Sequence, residues 1–275
     1  MKKELLNVSV ALMLLFSLPS CDHNNGENET DIQYPSTAHV IKNAVKDRDG
    51  NKYDAVKIGN QIWMASNLKT TKYADGTPIP VVSVTHGSGA WWPTDDNGGT
   101  TAVLGYPNDS EIAGRNFGIL YNRFAALGTW IGTVEQQLGH DVQGVCPNGW
   151  HIPSILEWKE LNDYVATNSQ YMTSSKTVPK ALAAQYGWKP ADHVGYPGND
   201  MDANNSTGFS AAPFENERSC VWWSCSGIDV NLYNSDDFLH WSYDSYMDML
   251  YEVYDYYVNM PYEDYRLFAV RCVKN

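Results

Sequence analysis

Apolar positions along this chain come in short bursts and rarely in long stripes. Tyr53-Asp-Ala-Val56-Lys-Ile58 alternates as a strand does, Gly59-Asn60 interrupts it, and Gln61-Ile62-Trp63-Met64 resumes it, which predicts a β-hairpin. A turn at Asp49-Gly50 precedes the hairpin, and Asn67-Leu68-Lys69 leads into a second turn at Asp75-Gly76 with a short strand on either side. Gly118 to Ala126 reads as a strand running into a short helix, and residues 178–188 as a second short element ending at Gly187-Trp188. The strongest helical stripe is Trp158, Leu161 and Val165. Ser154 and Glu157 stand three residues apart ahead of it and form a capping box, with Pro153 keeping the chain extended up to the cap, so a helix is expected over about 154–167. Phe209 to Pro213 and Val221 to Ser224 read as short buried strands, and Met249 to Val258 and Leu267 to Val273 as strands with apolar residues on both faces. Residues 85–111 lack periodicity and read as a long loop carrying Trp91-Trp92, with another loop over 195–208. Short antiparallel strands, two helices and long loops define an α+β fold.

The N-terminus adds an address. Lys2 and Lys3 precede an apolar run from Leu5 to Leu18, and Leu18-Pro19-Ser20-Cys21 closes it, the pattern of a bacterial lipoprotein signal in which Cys21 receives the lipid. The run is too short for a bilayer span, which takes about 20 residues. Residues 1–20 are therefore expected to be a signal peptide and 21–44 a flexible polar tether, leaving 45–275 as one domain large enough for a substantial core. The expected location is the cell envelope, lipid-anchored at the outer membrane. A net charge of −13 argues against nucleic acid as a partner and against a basic membrane-binding patch.

Candidate chemistry is sparse. Beyond Cys21, four cysteines remain (Cys146, Cys220, Cys225 and Cys272), and four allow three pairings in an oxidising compartment. On a straight strand Cys220 and Cys225 would lie about 16 Å apart, beyond the roughly 7 Å a disulfide spans, so they pair only if the chain turns between them. Asp200-Met-Asp202-Ala-Asn204 alternates oxygen ligands as a calcium loop does, but the sixth-position Gly and twelfth-position Glu are missing, and a polar turn is the simpler reading. His151 has no nucleophile context and no metal or phosphate motif around it, so it is expected to be a structural histidine bonded to the loop backbone. Half of the 18 tyrosines lie between Tyr233 and Tyr265. Core filling accounts for them more simply than a sugar-stacking surface does. Trp91 and Trp92 are the better candidates for ligand contact, and Trp222 and Trp223 are expected in the core. No cofactor is expected.

Taken in order, the motifs resemble one family. Asp49-Gly50-Asn51-Lys-Tyr53, Ile58-Gly59-Asn60-Gln61-Ile-Trp63-Met64-Ala-Ser-Asn67-Leu68, Tyr73-Ala-Asp75-Gly76-Thr-Pro78-Ile-Pro80 and Leu120-Tyr121-Asn122 are its first half. Cys146-Pro147-Asn-Gly149-Trp150-His151-Ile-Pro153, then Ser154, Glu157-Trp158, Gly208-Phe209-Ser210-Ala211, Trp222-Trp223-Ser224 and Val270-Arg271-Cys272-Val273 complete it. The chain resembles the Fibrobacter succinogenes major paralogous domain family over about 45–274. The resemblance implies a C-type-lectin-like fold, similar to formylglycine-generating and sulfatase-modifying proteins, in a secreted or surface lipoprotein without an assigned reaction. It also implies a Cys146–Cys272 disulfide, closing a loop long enough to contribute about 4–5 kcal/mol in the chain-entropy model. Two departures stand out: Arg123 replaces the usual Trp, and the Gly-rich stretch before Trp222 is compressed to residues 214–220. Three functions follow as expectations. The first is a non-catalytic binding or adhesion module for glycan or protein. The second is a copper oxidase using Cys220 and Cys225, whose spacing resembles that of formylglycine-generating enzymes. The third is a structural envelope protein without a small ligand.

Overall fold

The computed structural model describes residues 34–87, 90–94, 101–127, 142–172, 177–213, 219–225, 229–233 and 266–275. The expected signal peptide, Cys21, most of the expected tether, and the tyrosine-rich stretch beyond Tyr233 with its expected strand at 249–258 lie outside the described residues. In chain order the strands are β1 (His39–Lys46), β2 (Lys52–Ile58), β3 (Gln61–Met64), β4 (Val84–Gly87), β5 (Ala90–Pro93), β6 (Leu104–Gly105), β7 (Leu120–Tyr121), β8 (Trp150–His151), β9 (Ser219–Trp223), β10 (Asp229–Tyr233) and β11 (Val273–Lys274). The described α-helices are α1 (Glu111–Phe117), α2 (Arg123–Leu127), α3 (Ile155–Thr167) and α4 (Val178–Leu182). None is long and apolar enough to cross a membrane.

The central sheet is antiparallel and runs β1-β2-β3-β11-β8. The expected hairpin is there: Ile58 pairs with Gln61 across Gly59-Asn60. The last strand enters between β3 and β8, with Val273 opposite both Trp63 and His151, so the two ends of the domain meet in one sheet. Among the described residues three two-stranded pairs, β4-β5, β6-β7 and β9-β10, accompany it. The architecture is α+β.

Period-two alternation sorts the core into two clusters. Val56, Ile58, Trp63, Trp222, Leu267, Ala269 and Val273 join one, with the α3 stripe of Ile155, Trp158, Leu161 and Val165. Their strand neighbours Tyr53, Ala55, Met64, Trp223, Phe268, Val270 and Cys272 join the other, because successive strand side chains point to opposite faces. A sheet buried on both faces explains why these segments read as nearly continuous apolar runs.

Three expectations are corrected. The fold begins ahead of residue 45: β1 starts at His39, pairing His39 with Lys57, and the half-buried Tyr34 packs against the first cluster. Residues 85–111 are not one loop. They contain most of the β4-β5 hairpin, with His86 opposite Trp91 and Thr85 opposite Trp92, then β6, a 3-10 turn and the first residue of α1. Such four-residue and two-residue pieces are too short to show a period. Helices also exceed the expected two among the described residues, because α1 is a seven-residue helix fixed by its cap, Ser110 Oγ accepting from Ala113 N–H, without an apolar stripe.

Candidate functional site

The site begins with a carboxylate that folds its own turn. Asp47, nearly buried at the end of β1, accepts from the backbone N–H of Asp49 (3.0 Å) and Asn51 (2.9 Å) through one oxygen. Its other oxygen accepts from Asn51 Nδ2 (2.8 Å) and the Tyr53 hydroxyl (2.5 Å). The turn needs a left-handed residue at Gly50 (φ 96°), which glycine adopts without a steric penalty. Asp49 reaches to the next turn instead. It accepts from Thr71 N–H (2.5 Å) and from the Thr71 and Thr70 hydroxyls (2.9 and 3.2 Å), and it pairs with Lys72 Nζ at 2.8 Å. Burial alone would raise the Asp49 carboxyl, but these bonds outweigh it and hold it below its ordinary value.

A third segment, Val145–Asn148, completes the walls. Gly144 starts it at φ 51°, and a Cβ there would sit 2.0 Å from the Ala126 carbonyl oxygen, so only glycine fits. Cys146 is then tied to Cys272 next to β11, with Cα atoms 6.0 Å apart. The pairing implied by the family resemblance is thus the one formed. Gln143 Nε2 donates to the Asn148 side-chain oxygen (2.9 Å) and to the Cys146 carbonyl (3.2 Å), fixing the loop tip.

Between these segments lies a cleft of about 570 Å³, walled by Val45 to Gly50, by Thr70, Lys72 and Ala74, and by Val145, Pro147 and Asn148. Its charged residues are Lys46, Arg48 and Lys72 against Asp47 and Asp49, and both carboxylates are engaged internally. Arg48 donates Nε to the Ala74 carbonyl at 2.5 Å, its charge helps hold the exposed Asp75 carboxyl below its ordinary value, and among the described residues its two Nη groups make no hydrogen bond. Lys46 lies over Gly50, its Nζ 3.9 Å from where a Cβ would stand, and makes no hydrogen bond or ion pair among the described residues. What the cleft offers is hydrogen-bond donors.

The sequence-predicted residues fall elsewhere. His151 is buried at the head of α3, but its bonds go to side chains rather than to the loop backbone as expected: Nε2 to Glu157 Oε1 and Nδ1 to Asn275 Oδ1, both 2.8 Å. Glu157 Oε2 accepts from the Ser154 N–H (2.8 Å) and hydroxyl (2.9 Å), so the capping box and the histidine share one carboxylate. Burial pushes that carboxyl up, while the His151 and Ser154 hydrogen bonds pull it down further, to a net lowered value. The order Ser–Glu–His places the acid in the middle, with the Ser154 hydroxyl on Glu157 and not on the imidazole.

Asn67 and Arg271 form a buried hub. Asn67 Oδ1 accepts from Arg271 Nε (2.9 Å) and Nη2 (2.6 Å) and from Trp222 Nε1 (2.8 Å), and Arg271 Nη1 reaches the Phe209 carbonyl (2.5 Å). The guanidinium stacks 4.4 Å from the Phe209 ring, and burial lowers its pKa to about 10. Trp63, Trp158 and Trp222 pack in sequence beside it, with ring centroids 4.6 and 5.4 Å apart. Trp223 donates to the Tyr121 carbonyl (2.7 Å), the Tyr121 hydroxyl donates to the Thr70 carbonyl (2.7 Å), and Trp150 is buried in β8. The motif residues thus make the interior.

Cys220 and Cys225 are buried thiols, and they fall in different core clusters. Cys220 lies within β9, whereas Cys225 lies in a turn two residues beyond its end, its N–H donating to the Pro153 carbonyl at 2.9 Å. The Cys220 thiol donates to the Ala212 carbonyl at 2.9 Å, and burial pushes its pKa well up, against the thiolate that copper would need. At the calcium candidate, Asp200 leads into a 3-10 turn over Met201–Ala203, and Asn204 turns its amide donors to the carbonyls of Ala184 (3.0 Å) and Pro197 (2.8 Å). The buried Lys180 ammonium donates to the carbonyls of Tyr196, Asn199 and Asp200, so a side-chain cation already occupies the carbonyl cage of this loop. Among the described residues no group of three or more metal-ligating acids, histidines or cysteines converges. The cleft itself went unread in the sequence. Its one local signal is the charge alternation Lys46-Asp47-Arg48-Asp49, and the partners at 70–74 and 145–148 reach it only through the sheet and the disulfide.

The fold and site define a disulfide-stapled α+β domain with a polar, donor-rich cleft. The chain belongs to the Fibrobacter succinogenes major domain family, whose model matches residues 56–274. No curated protein and no solved structure matches the chain.

Proposed function

We propose that this chain is a lipid-anchored envelope protein whose domain is a non-catalytic binding module, displayed at the outer membrane and recognising surface glycan or protein. The observation that carries the reading is the cleft at the β1-β2 turn, whose carboxylates are consumed in building its walls while Lys46 and Arg48 line it as donors. An activated nucleophile or a general acid–base pair is not part of that arrangement. A purely structural envelope protein has no need of a cleft lined with cations, so the cleft favours binding. A C-type-lectin-like architecture fits the same picture, since the last strand returns beside the first hairpin and a disulfide ties it to the start of β8 and α3.

The test has two arms. Cells fed a lipid label incorporate it into the full chain and lose it, with membrane retention, in Cys21→Ser. The full chain binds members of a combined glycan and protein array. Trp91→Ala and Trp92→Ala are included there, and a loss in either brings the β4-β5 hairpin into the binding surface. A soluble, unlabelled protein with no binding partner would sink the reading.

A further inference from the structure

We propose that the cleft recognises the oxyanion group, carboxylate or sulfate ester, of an acidic saccharide. The inference rests on the binding-module reading above and specifies its ligand. Asp47 already accepts four hydrogen bonds, and Asp49 accepts three and an ion pair, so neither is open to a further donor. The opposite holds for the donors. Among the described residues Lys46 Nζ and the Arg48 Nη groups make no hydrogen bond to protein, Arg48 having the exposed Asp75 as a nearby charge, and the Asn148 oxygen is held by Gln143. A ligand that only accepts matches such a wall, and with Nε spent on Ala74 the end-on Nη pair of Arg48 suits a two-oxygen anion.

A second observation points the same way. Lys46 and Lys52 are direct cross-strand partners, and like charges in that position destabilise a sheet. A protein with net charge −13 nevertheless concentrates cations at this rim, a local conflict that an arriving anion resolves.

The size and surroundings identify the source. At about 570 Å³ the cleft exceeds what an inorganic oxyanion fills and lies in the range of small-molecule sites. The half-buried Val45 is the apolar side chain a ring can touch, while Val145 and Pro147 back the wall as buried residues. An acidic peptide adding as a strand would have to pair with the adjacent edge strand β1, which is broken by a bulge between Ile41 and Val45, with Asn43 at φ 49°. An anionic bilayer is repelled by the acidic remainder of the chain.

The experiment uses the full chain in mild detergent on an array of uronate-bearing and sulfated oligosaccharides. Each is printed beside its methyl-esterified or desulfated counterpart, with inorganic phosphate, sulfate and oligoglutamate as competitors. Binding confined to acidic members is expected, weakened by about 0.5 M salt. Lys46→Gln with Arg48→Gln, both at exposed side chains, lowers affinity at least about tenfold, whereas the exposed Lys57→Gln on β2 leaves it unchanged. Equal binding of the neutral counterparts, an equal loss in Lys57→Gln, equally tight inorganic anion or oligoglutamate, or no acidic hit at all would each overturn the proposal. If the array or intact cells still bind through neutral glycan or protein, only this ligand assignment falls; if nothing binds anywhere, the binding-module reading falls with it.

Discussion

At the scale of single residues, Asn67 bears the heaviest duty: one carbonyl oxygen receives a buried guanidinium and an indole N–H, while its amide donates to the Phe117 carbonyl at 2.8 Å. Asn67→Ala strands a buried cation, and an uncompensated buried charge costs about 3–5 kcal/mol. Chemical denaturation should show a loss of that size, and a loss below about 1 kcal/mol would mean that the hub relaxes onto the Met64 and Phe209 carbonyls. Glu157 gives a pH signature. Its carboxyl sits lower in the folded chain than in the unfolded one, so the unfolded state binds its proton first on acidification. The associated stability is complete above the ordinary carboxylate value of about 4.3 and disappears as pH falls through the lowered folded value. Unfolding free energies measured between pH 6 and acid should therefore fall more steeply for the wild type than for Glu157→Gln (about pH 6 being well above both values). Parallel curves would show that His151 and Ser154 do not discriminate the charged form.

At the scale of elements, α3 is the piece the sequence announced most fully. Ser154, Glu157 and the Trp158-Leu161-Val165 stripe are a local signal, because a cap and a 3.6-residue period act within a few turns of one another. Ser154→Ala removes both the bond to Glu157 N–H and the hydroxyl on Glu157 Oε2. About 1–2 kcal/mol of stability should go with it, read as a lowered denaturation midpoint. The segment from 84 to 117 was the reverse case. The β4-β5 hairpin, the two-residue β6 and the short α1 hold their form through contacts such as Val84 N–H on Asp109 Oδ1 (2.7 Å) and Val82 N–H on the Leu104 carbonyl, which no periodicity encodes.

For the whole molecule, the disulfide cross-links the cleft wall to the last strand. Cys146 and Cys272 are 126 residues apart, and Cys146→Ala with Cys272→Ala should cost about 4–5 kcal/mol if unfolded-chain entropy governs, seen as a lowered melting temperature. Peptide mapping of the non-reduced protein should recover that link and alkylate Cys220 only after unfolding. Much of this fold was written locally: the Gly59-Asn60 hairpin, the capped helix, the alternating runs and the motif order that marks the family, each depending on neighbours a few residues apart. Only the tertiary structure decided that β11 would slot between β3 and β8, that Lys180 would fill the carbonyl cage beside Asp200, and that the β1-β2 turn, Thr70–Ala74 and Val145–Asn148 would close on one cleft. Those contacts join segments tens to more than a hundred residues apart, and their partners are backbone carbonyls and shared carboxylates that every sequence contains, so nothing in the order of side chains distinguishes them until the chain has folded.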